Sequence, residues 1–237
     1  MNITMIDQAF EALKKFDWGT DHSVLKPIDE AVAATHGDKA ARADLEKKLV
    51  AALEGTLTRA GKDFVCRVLM AIGTAASVPA LSKLLAQTDD AHLARFALER
   101  IPGAEARQAL LDSLSKSKGP QLLGVISSLG SRLESESISA LAGLLANADE
   151  KVSVAAAAAL GAIRNSEAAK ALGGAKPASD SAKMAVIDAR LACAEGLLAH
   201  GKAAEALPIY KSLTGDDVPK HVKLGATRGI LACAGKK

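Results

Sequence analysis

Residues 75–101, AASVPALSKLLAQTDDAHLARFALERI, contain the pattern that decides the fold. Leucines at positions 81, 84 and 85 have the i, i+3, i+4 spacing that places apolar side chains on one face of an α-helix. The polar residues 88–90 predict a turn, and helically spaced apolar residues then continue to Ile101. The stretch therefore predicts two antiparallel helices of about a dozen residues, each about 18 Å long.

The same pattern recurs along the chain at a nearly constant interval. One leucine marks each first helix, in steps of 29, 31 and 31 residues: Leu81, Leu110, Leu141 and Leu172. The second helices end in aliphatic residues in steps of 29, 28 and 34 residues: Ile72, Ile101, Leu129 and Ile163. Because one pair cannot bury both of its apolar faces, stacked pairs are expected. We predict an all-α fold, a right-handed α-solenoid of about seven stacked antiparallel helix pairs.

The composition agrees with closely packed helices. Of the 237 residues, 49% are hydrophobic but only 3% are aromatic, and 49 are alanine. Such small side chains let helix axes approach to about 8 Å, and they suit a β-sandwich or barrel poorly. The apolar content argues against disorder, and a net charge of +3 argues against a dedicated nucleic-acid binder.

Cysteine usage and apolar runs bear on the cellular compartment. The three cysteines form no CxxC pair, which predicts free thiols and argues against a disulfide framework or a zinc site. The N-terminal residues do not resemble a signal peptide, and no apolar run reaches the length of about 18 residues that a membrane helix needs. We expect a cytoplasmic protein without a membrane segment; the alternative is a module excised from an exported multidomain protein.

The repeats resemble HEAT repeats, and in particular the short, alanine-rich bacterial class that includes phycobilisome-lyase-like proteins. The resemblance rests on the repeat length, the VPAL-type first helix, the Asp-Asp or Asp-Glu turn and the second helices that end in isoleucine. It covers residues 60–175 most clearly. Such a resemblance implies stacked helix pairs that offer a concave surface to a partner.

The two ends of the chain resemble other segments of repeat proteins. Residues 16–38, FDWGTDHSVLKPIDEAVAATHGD, are similar to a cap that precedes HEAT repeats in some bacterial multidomain proteins. Residues 194–213 are similar to a tetratricopeptide unit, with Gly196, Ala206 and Tyr210 near its small and aromatic positions. We expect a single solenoid domain over residues 1–237, whose parts are a cap with the first pairs (1–57), HEAT-like repeats (58–175) and C-terminal pairs (176–237).

Motifs for catalysis or cofactor binding are absent from the sequence. Di-iron hydroxylases of the HEAT fold need repeated His-Glu steps, and none of the five histidines precedes a glutamate. DNA glycosylases of this fold need a basic groove lined with aromatic residues, and the chain has one tryptophan and one tyrosine. No GxGxxG, Walker A or GxSxG motif occurs. We therefore predict that the chain is not an enzyme, with no catalytic, cofactor-binding or metal-binding residues.

Aligning the ends of the second helices gives two rows of candidate partner-binding residues. One row contains Cys66, Arg95 and Leu123, and the other contains Met70, Glu99 and Ser127. The rows are mostly small or apolar, which favours a protein or peptide partner over a polyanion. Trp18 is a further candidate, which either anchors a partner or covers the open end of the first helix pair.

The resemblance implies a non-catalytic scaffold or adaptor that binds a protein, a peptide or another domain of a larger parent chain. Two alternatives stay open, as does the oligomeric state. One is a lyase- or hydroxylase-like accessory enzyme on a HEAT fold. The other is weak nucleic-acid binding through the basic C-terminal third, although no nucleic-acid partner is expected; its lysines are Lys202, Lys211, Lys220, Lys223, Lys236 and Lys237.

Overall fold

The computed structural model describes residues 3–235. Within that range the chain forms fourteen α-helices, three short 3-10 helices and no β-strand. The prediction of an all-α fold is confirmed. The chain divides after Ser113 into two compact units, an N-terminal unit and a C-terminal unit.

The N-terminal unit is built from helices that pack with their sequence neighbours and with the next helix but one. Its helices are α1 (Ile3–Leu13), α2 (Lys26–Ala34), α3 (Lys39–Glu54), α4 (Arg59–Ile72), α5 (Val78–Leu85), α6 (Ala91–Arg100) and α7 (Ala104–Leu114), the last of which reaches the unit boundary. Helix α3 packs on α4, and α5 packs on α6. Helix α4 also lies against α6, and α3 contacts α5. Successive pairs therefore contact each other through equivalent helices.

Local sequence signals explain where these helices begin. The Asp38 carboxylate accepts hydrogen bonds from the backbone N–H groups of the first turn of α3, and the Thr58 hydroxyl accepts one from the first turn of α4. Proline occupies the first turn of α2 and of α5, where its missing N–H is not needed. Two 3-10 helices, His22–Leu25 and Ala75–Ser77, lead into α2 and α5.

The C-terminal unit repeats the same order of contacts. Its helices are α8 (Gly119–Ser131), α9 (Ile138–Ala142), α10 (Glu150–Ile163), α11 (Ser166–Gly173), α12 (Asp180–Ala199), α13 (Ala203–Ser212) and α14 (Lys220–Ala234), and a 3-10 helix (Ser135–Ser137) precedes α9. Helix α10 lies between α8 and α12, and α12 also contacts α14. Helix α9 contacts α11, and α11 packs on α12.

The longer helices of this unit approach each other at glycines, which is where the small side chains matter. A Cβ on Gly130 of α8 would lie 2.7 Å from the Cα of Ala159 in α10. A Cβ on Gly161 of α10 would lie 3.0 Å from the Cα of Ala189 in α12. Both separations are shorter than normal van der Waals contact, so these interfaces leave no room for a methyl group.

The leucines that define the sequence repeat are core residues. Leu81, Leu110, Leu141 and Leu172 are all essentially inaccessible to solvent. Three of the first helices are clearly shorter than the dozen residues expected: α5 and α11 have eight residues each, and α9 has five. Helix α9 ends at Ala142, and residues 143–146 form turns. Gly143 follows directly, and glycine inside a helix costs about 1 kcal/mol relative to alanine, which favours an early end.

Candidate binding cleft

Cys66 does not lie on an accessible surface. Its side chain is 2% exposed in the middle of α4. Burial, with smaller contributions from Asp63 and then Asp90, raises the pKa of the Cys66 thiol to about 12. The structure therefore places this predicted partner-binding residue in the core, where it cannot contact a partner in the folded chain.

Arg95 and Glu99 interact with each other one turn apart on α6. Their charged groups are 3.7 Å apart, and both side chains are partly buried. The Arg95 guanidinium also lies 5.1 Å from the ring centroid of Phe96. Burial lowers the pKa of Arg95, while Glu99 opposes that shift. The two charged side chains that the sequence analysis proposed for partner binding therefore interact with each other within α6.

Leu123 and Ser127 belong to α8 in the other compact unit. Leu123 is half-buried and Ser127 is exposed. The two predicted rows are therefore not evenly accessible along their length, and their role in partner binding stays a prediction.

Trp18 lies in the connection between α1 and the first 3-10 helix, and 63% of its surface is exposed. Its backbone N–H donates to the Asp17 carboxylate at 2.8 Å, while Asp21 accepts from the N–H of Ser23 and caps the 3-10 helix. Both interpretations of Trp18, covering the open end of the first helix pair and anchoring a partner, stay predictions.

The N-terminal unit contains a cleft that the sequence analysis did not predict. It has a volume of about 710 Å³ and lies between α3, the end of α4, the 74–77 turn and the end of α6. We call it the α3–α4 cleft; it is lined by Lys39, Arg42, Ala43, Glu46, Lys47, Val50, Met70, Ala71, Gly73, Thr74, Ala76, Arg100 and Pro102. Its volume falls within the range of ordinary ligand sites. Among the residues chosen from sequence, Met70 lines it.

The lining carries four cationic side chains and one carboxylate. Lys39, Lys47 and Arg100 are exposed, and within residues 3–235 none of them has a carboxylate oxygen within 4.0 Å. Arg42 is held differently, since it donates from Nη2 to the Ala71 carbonyl at 2.6 Å and from Nε to the Ile72 carbonyl at 3.2 Å. It thereby satisfies carbonyls at the end of α4.

The one carboxylate in the lining, Glu46, is 2% exposed. Its Oε1 accepts hydrogen bonds from the Thr74 backbone N–H at 2.7 Å and from the Ser77 hydroxyl at 2.6 Å, and the Thr74 hydroxyl donates to both carboxylate oxygens. All of these donors are neutral. Glu46 therefore fixes the 74–77 turn against α3, and among the described residues it forms no ion pair with the lysines of the cleft.

Apolar surface lies between the cationic groups. Val50, Met70, Ala76 and Pro102 all line the cleft, and Met70 is half-buried. In a cleft of this kind, the charged groups fix the orientation of a ligand and the apolar groups provide contact area. Chemically it is equipped to hold an anionic group beside an apolar one.

Sequence reasoning missed this cleft because its cations come from distant positions. Lys39, Arg42 and Lys47 lie on α3, whereas Arg100 follows about 60 residues later at the end of α6. The one available signal was the spacing on α3, where positions 39, 42, 43, 46, 47 and 50 follow the i, i+3, i+4, i+7, i+8, i+11 pattern of one helix face. That pattern alone also describes an ordinary solvated face.

No family model matches the chain, and no curated protein is significantly similar to it. Across the described residues, no three or more His, Cys, Asp or Glu side chains come together in a group that could hold a metal ion. No helix in the same range is both long enough and apolar enough to cross a bilayer.

Proposed function

We propose that this chain is a non-catalytic helical-repeat scaffold of the HEAT type, and that its N-terminal unit binds a segment of a partner protein in the α3–α4 cleft. The α3–α4 cleft carries this proposal. Its exposed cations are unpaired within the described residues, its carboxylate is already hydrogen-bonded, and its remaining surface is apolar. These are features of a recognition surface, where charge sets orientation and apolar contact adds affinity.

The order of helix contacts supports the solenoid part of the proposal. In each unit, second helices contact second helices: α4 with α6, and α8 with α10, α10 with α12, α12 with α14. First helices do the same, with α3 against α5 and α9 against α11. This is the neighbour-only contact order of stacked repeats, and we propose that it extends along the chain as one right-handed α-solenoid of about seven pairs. Small-angle X-ray scattering tests it, because a near-spherical envelope contradicts a solenoid.

The alternative of nucleic-acid binding through the C-terminal third receives less support. Lys202 lies 3.6 Å from Glu205, and Lys223 lies 3.6 Å from Asp216, so two of the six lysines already have acidic neighbours. Lys236 and Lys237 lie outside the described residues. The four cationic groups of the α3–α4 cleft belong to the other unit, and a described cleft of the C-terminal unit has one cationic residue, Arg228, together with Glu195.

Site-specific photocrosslinking tests the proposed binding surface. A photoreactive amino acid replaces Ala76, which is exposed in the cleft, and in a control replaces Ala33, which is exposed on α2 outside it. We expect a discrete protein adduct from position 76 and none of that mass from position 33. The crosslinked protein is then purified and its binding to the full chain measured by calorimetry. Adducts that are absent at position 76, or equal at both positions, would contradict the proposal.

A further inference from the structure

We propose that the ligand of the α3–α4 cleft is a short acidic peptide segment in an extended conformation, with two carboxylates on either side of one apolar side chain. This inference rests on the proposed function, because it names the chemistry of the segment that the cleft binds. Charge, spacing and apolar area each contribute to it.

The charge of the lining selects an anionic ligand. Four cationic side chains and one carboxylate line the cleft, and that carboxylate, Glu46, is occupied by neutral donors. Lys39, Lys47 and Arg100 have no acidic partner within 4.0 Å among the described residues. Carboxylates placed beside these exposed cations gain electrostatic attraction, which salt weakens.

The spacing of the lysines suits an extended segment. Lys39 and Lys47 are eight residues apart on α3, which separates them by about 12 Å along the helix axis. In an extended peptide, residues i, i+2 and i+4 point to the same side, and i and i+4 are about 13 Å apart. Acidic residues at i and i+4 therefore reach both lysines, and the side chain at i+2 faces the middle of the cleft.

Apolar surface fills that middle. Ala43 lies between the two lysines on α3, and Val50, Met70 and Pro102 complete the apolar lining. An apolar side chain at position i+2 gains about 25 cal/mol for each Å² that it buries there. An anion without an apolar group, such as a phosphate or a nucleic-acid backbone, does not use this surface. The cleft thus favours an acidic and apolar peptide over a polyanion.

Calorimetry with the full chain and defined peptides tests the inference. The probe is the peptide Ser-Glu-Ser-Leu-Ser-Glu-Ser, and the comparison peptides replace both Glu with Gln, or the Leu with Ser. We expect each comparison peptide to bind about tenfold more weakly or worse, and the affinity of the probe to fall as salt is raised. Equal affinity of the Gln peptide would overturn the inference, and so would full competition by a short single-stranded DNA.

Charge-reversal variants locate the binding. K47E/R100E is expected to lower the affinity for the probe peptide by about tenfold or more. The control K15E/K116E makes the same change of net charge at exposed positions outside the cleft, and it is expected to leave that affinity unchanged. If K47E/R100E fails to fold by circular dichroism, Ala76→Trp, which fills the cleft from an exposed position, replaces it. Equal effects of the cleft variants and the control variant contradict the inference.

The two proposals fail in different ways. If adducts at position 76 persist in K47E/R100E, the proposal of a partner-binding scaffold stands and the proposal of an acidic peptide ligand is contradicted. The absence of any adduct at position 76 would remove the scaffold proposal itself.

Discussion

Glu46 shows how one buried charge supports a surface made of opposite charges. Its carboxylate lies beneath the α3–α4 cleft and accepts hydrogen bonds from Thr74 and Ser77. The turn that it holds contributes Thr74 and Ala76 to the lining. From the sequence, Glu46 is one more charge on a lysine-rich helix, and the one signal of burial is that Leu49 and Leu53, three and seven positions further on, share its face.

Replacing Glu46 tests this role. Glu46→Ala is expected to lower the free energy of unfolding by about 1–3 kcal/mol, because it leaves the buried Ser77 hydroxyl and the Thr74 N–H without their acceptor. Chemical denaturation followed by circular dichroism measures it. Glu54→Ala on the same helix is the control; Glu54 pairs with Lys83 at the surface, so its loss is expected to cost about 0.5 kcal/mol or less. Equal losses for the two variants would contradict a buried hydrogen-bonded carboxylate.

Tyr210 provides a pH-dependent test of the C-terminal core. It is fully buried among Leu197, Leu213 and Val222. Burial, with smaller contributions from Glu195 and then Cys233, raises the pKa of its phenol to about 12.

The folded chain therefore keeps the phenol proton of Tyr210 at a pH where the unfolded chain, with an ordinary pKa of about 10, has released it. The buried phenol of Tyr210 contributes fully to stability below about pH 10, and this contribution is lost as the pH rises from there toward the pKa of the phenol in the folded chain. Because the chain has one tyrosine, the absorbance of tyrosinate reports this site alone. A midpoint near pH 10 in the folded chain would show that the side chain is not buried.

At the scale of the helices, glycine and alanine determine how closely α8, α10 and α12 pack. Gly161 lies against the backbone of Ala189, and Gly130 lies against that of Ala159. This explains how a chain with few aromatic residues builds a core: helices in close contact replace large side chains. The low aromatic content pointed to this packing from the sequence.

Gly161→Ala is expected to lower the free energy of unfolding by about 1–3 kcal/mol, because the added methyl group overlaps Ala189 across the α10–α12 interface. The matched control is Gly173→Ala in α11, where nothing lies within 4 Å of the added carbon. That variant is expected to change stability by about 0.5 kcal/mol at most, or to raise it slightly. Thermal and chemical denaturation compare the two. Similar values would contradict close packing at Gly161.

The helices could be predicted from the sequence, but the surface that they form could not. Apolar residues at i, i+3 and i+4 mark a helix because burial needs them on one face, and the repeat leucines Leu81 and Leu141 are indeed core residues. Which other side chains are exposed depends on helix phase, and a shift of one residue rotates a helix by about 100°. Exposure also depends on the helices packed around a residue, since Cys66 and Met70 lie one turn apart on α4, yet Cys66 is buried and Met70 lines the cleft.

At the scale of the whole chain, the C-terminal unit depends on its last two helices. In that unit, α13, α14 and the segment between them bring Ala206, Val218 and Ala226 into the cluster around Tyr210. The same cluster covers Ala194 and Leu197 of α12. Removing the last two helices exposes an apolar face, because a stacked array is soluble only when its end is covered.

Deletion of residues 199–237 is therefore expected to cause self-association. Size-exclusion chromatography with light scattering compares the truncated chain with the full one at equal concentration. We expect species of higher mass than those of the full chain, together with binding of a dye that detects exposed apolar surface. A truncated product with the same number of subunits as the full chain and no dye binding would show that α13 and α14 do not cover a core.

The exposure of Trp18 has a practical consequence for anyone who studies this chain by fluorescence. It is the only tryptophan, and its indole is already largely in contact with water in the folded state. Its emission should therefore shift little when the chain unfolds, and a conventional fluorescence melt would miss the transition. The same side chain is a sensitive reporter of any molecule that settles on the 17–21 segment, since the emission then moves to shorter wavelength.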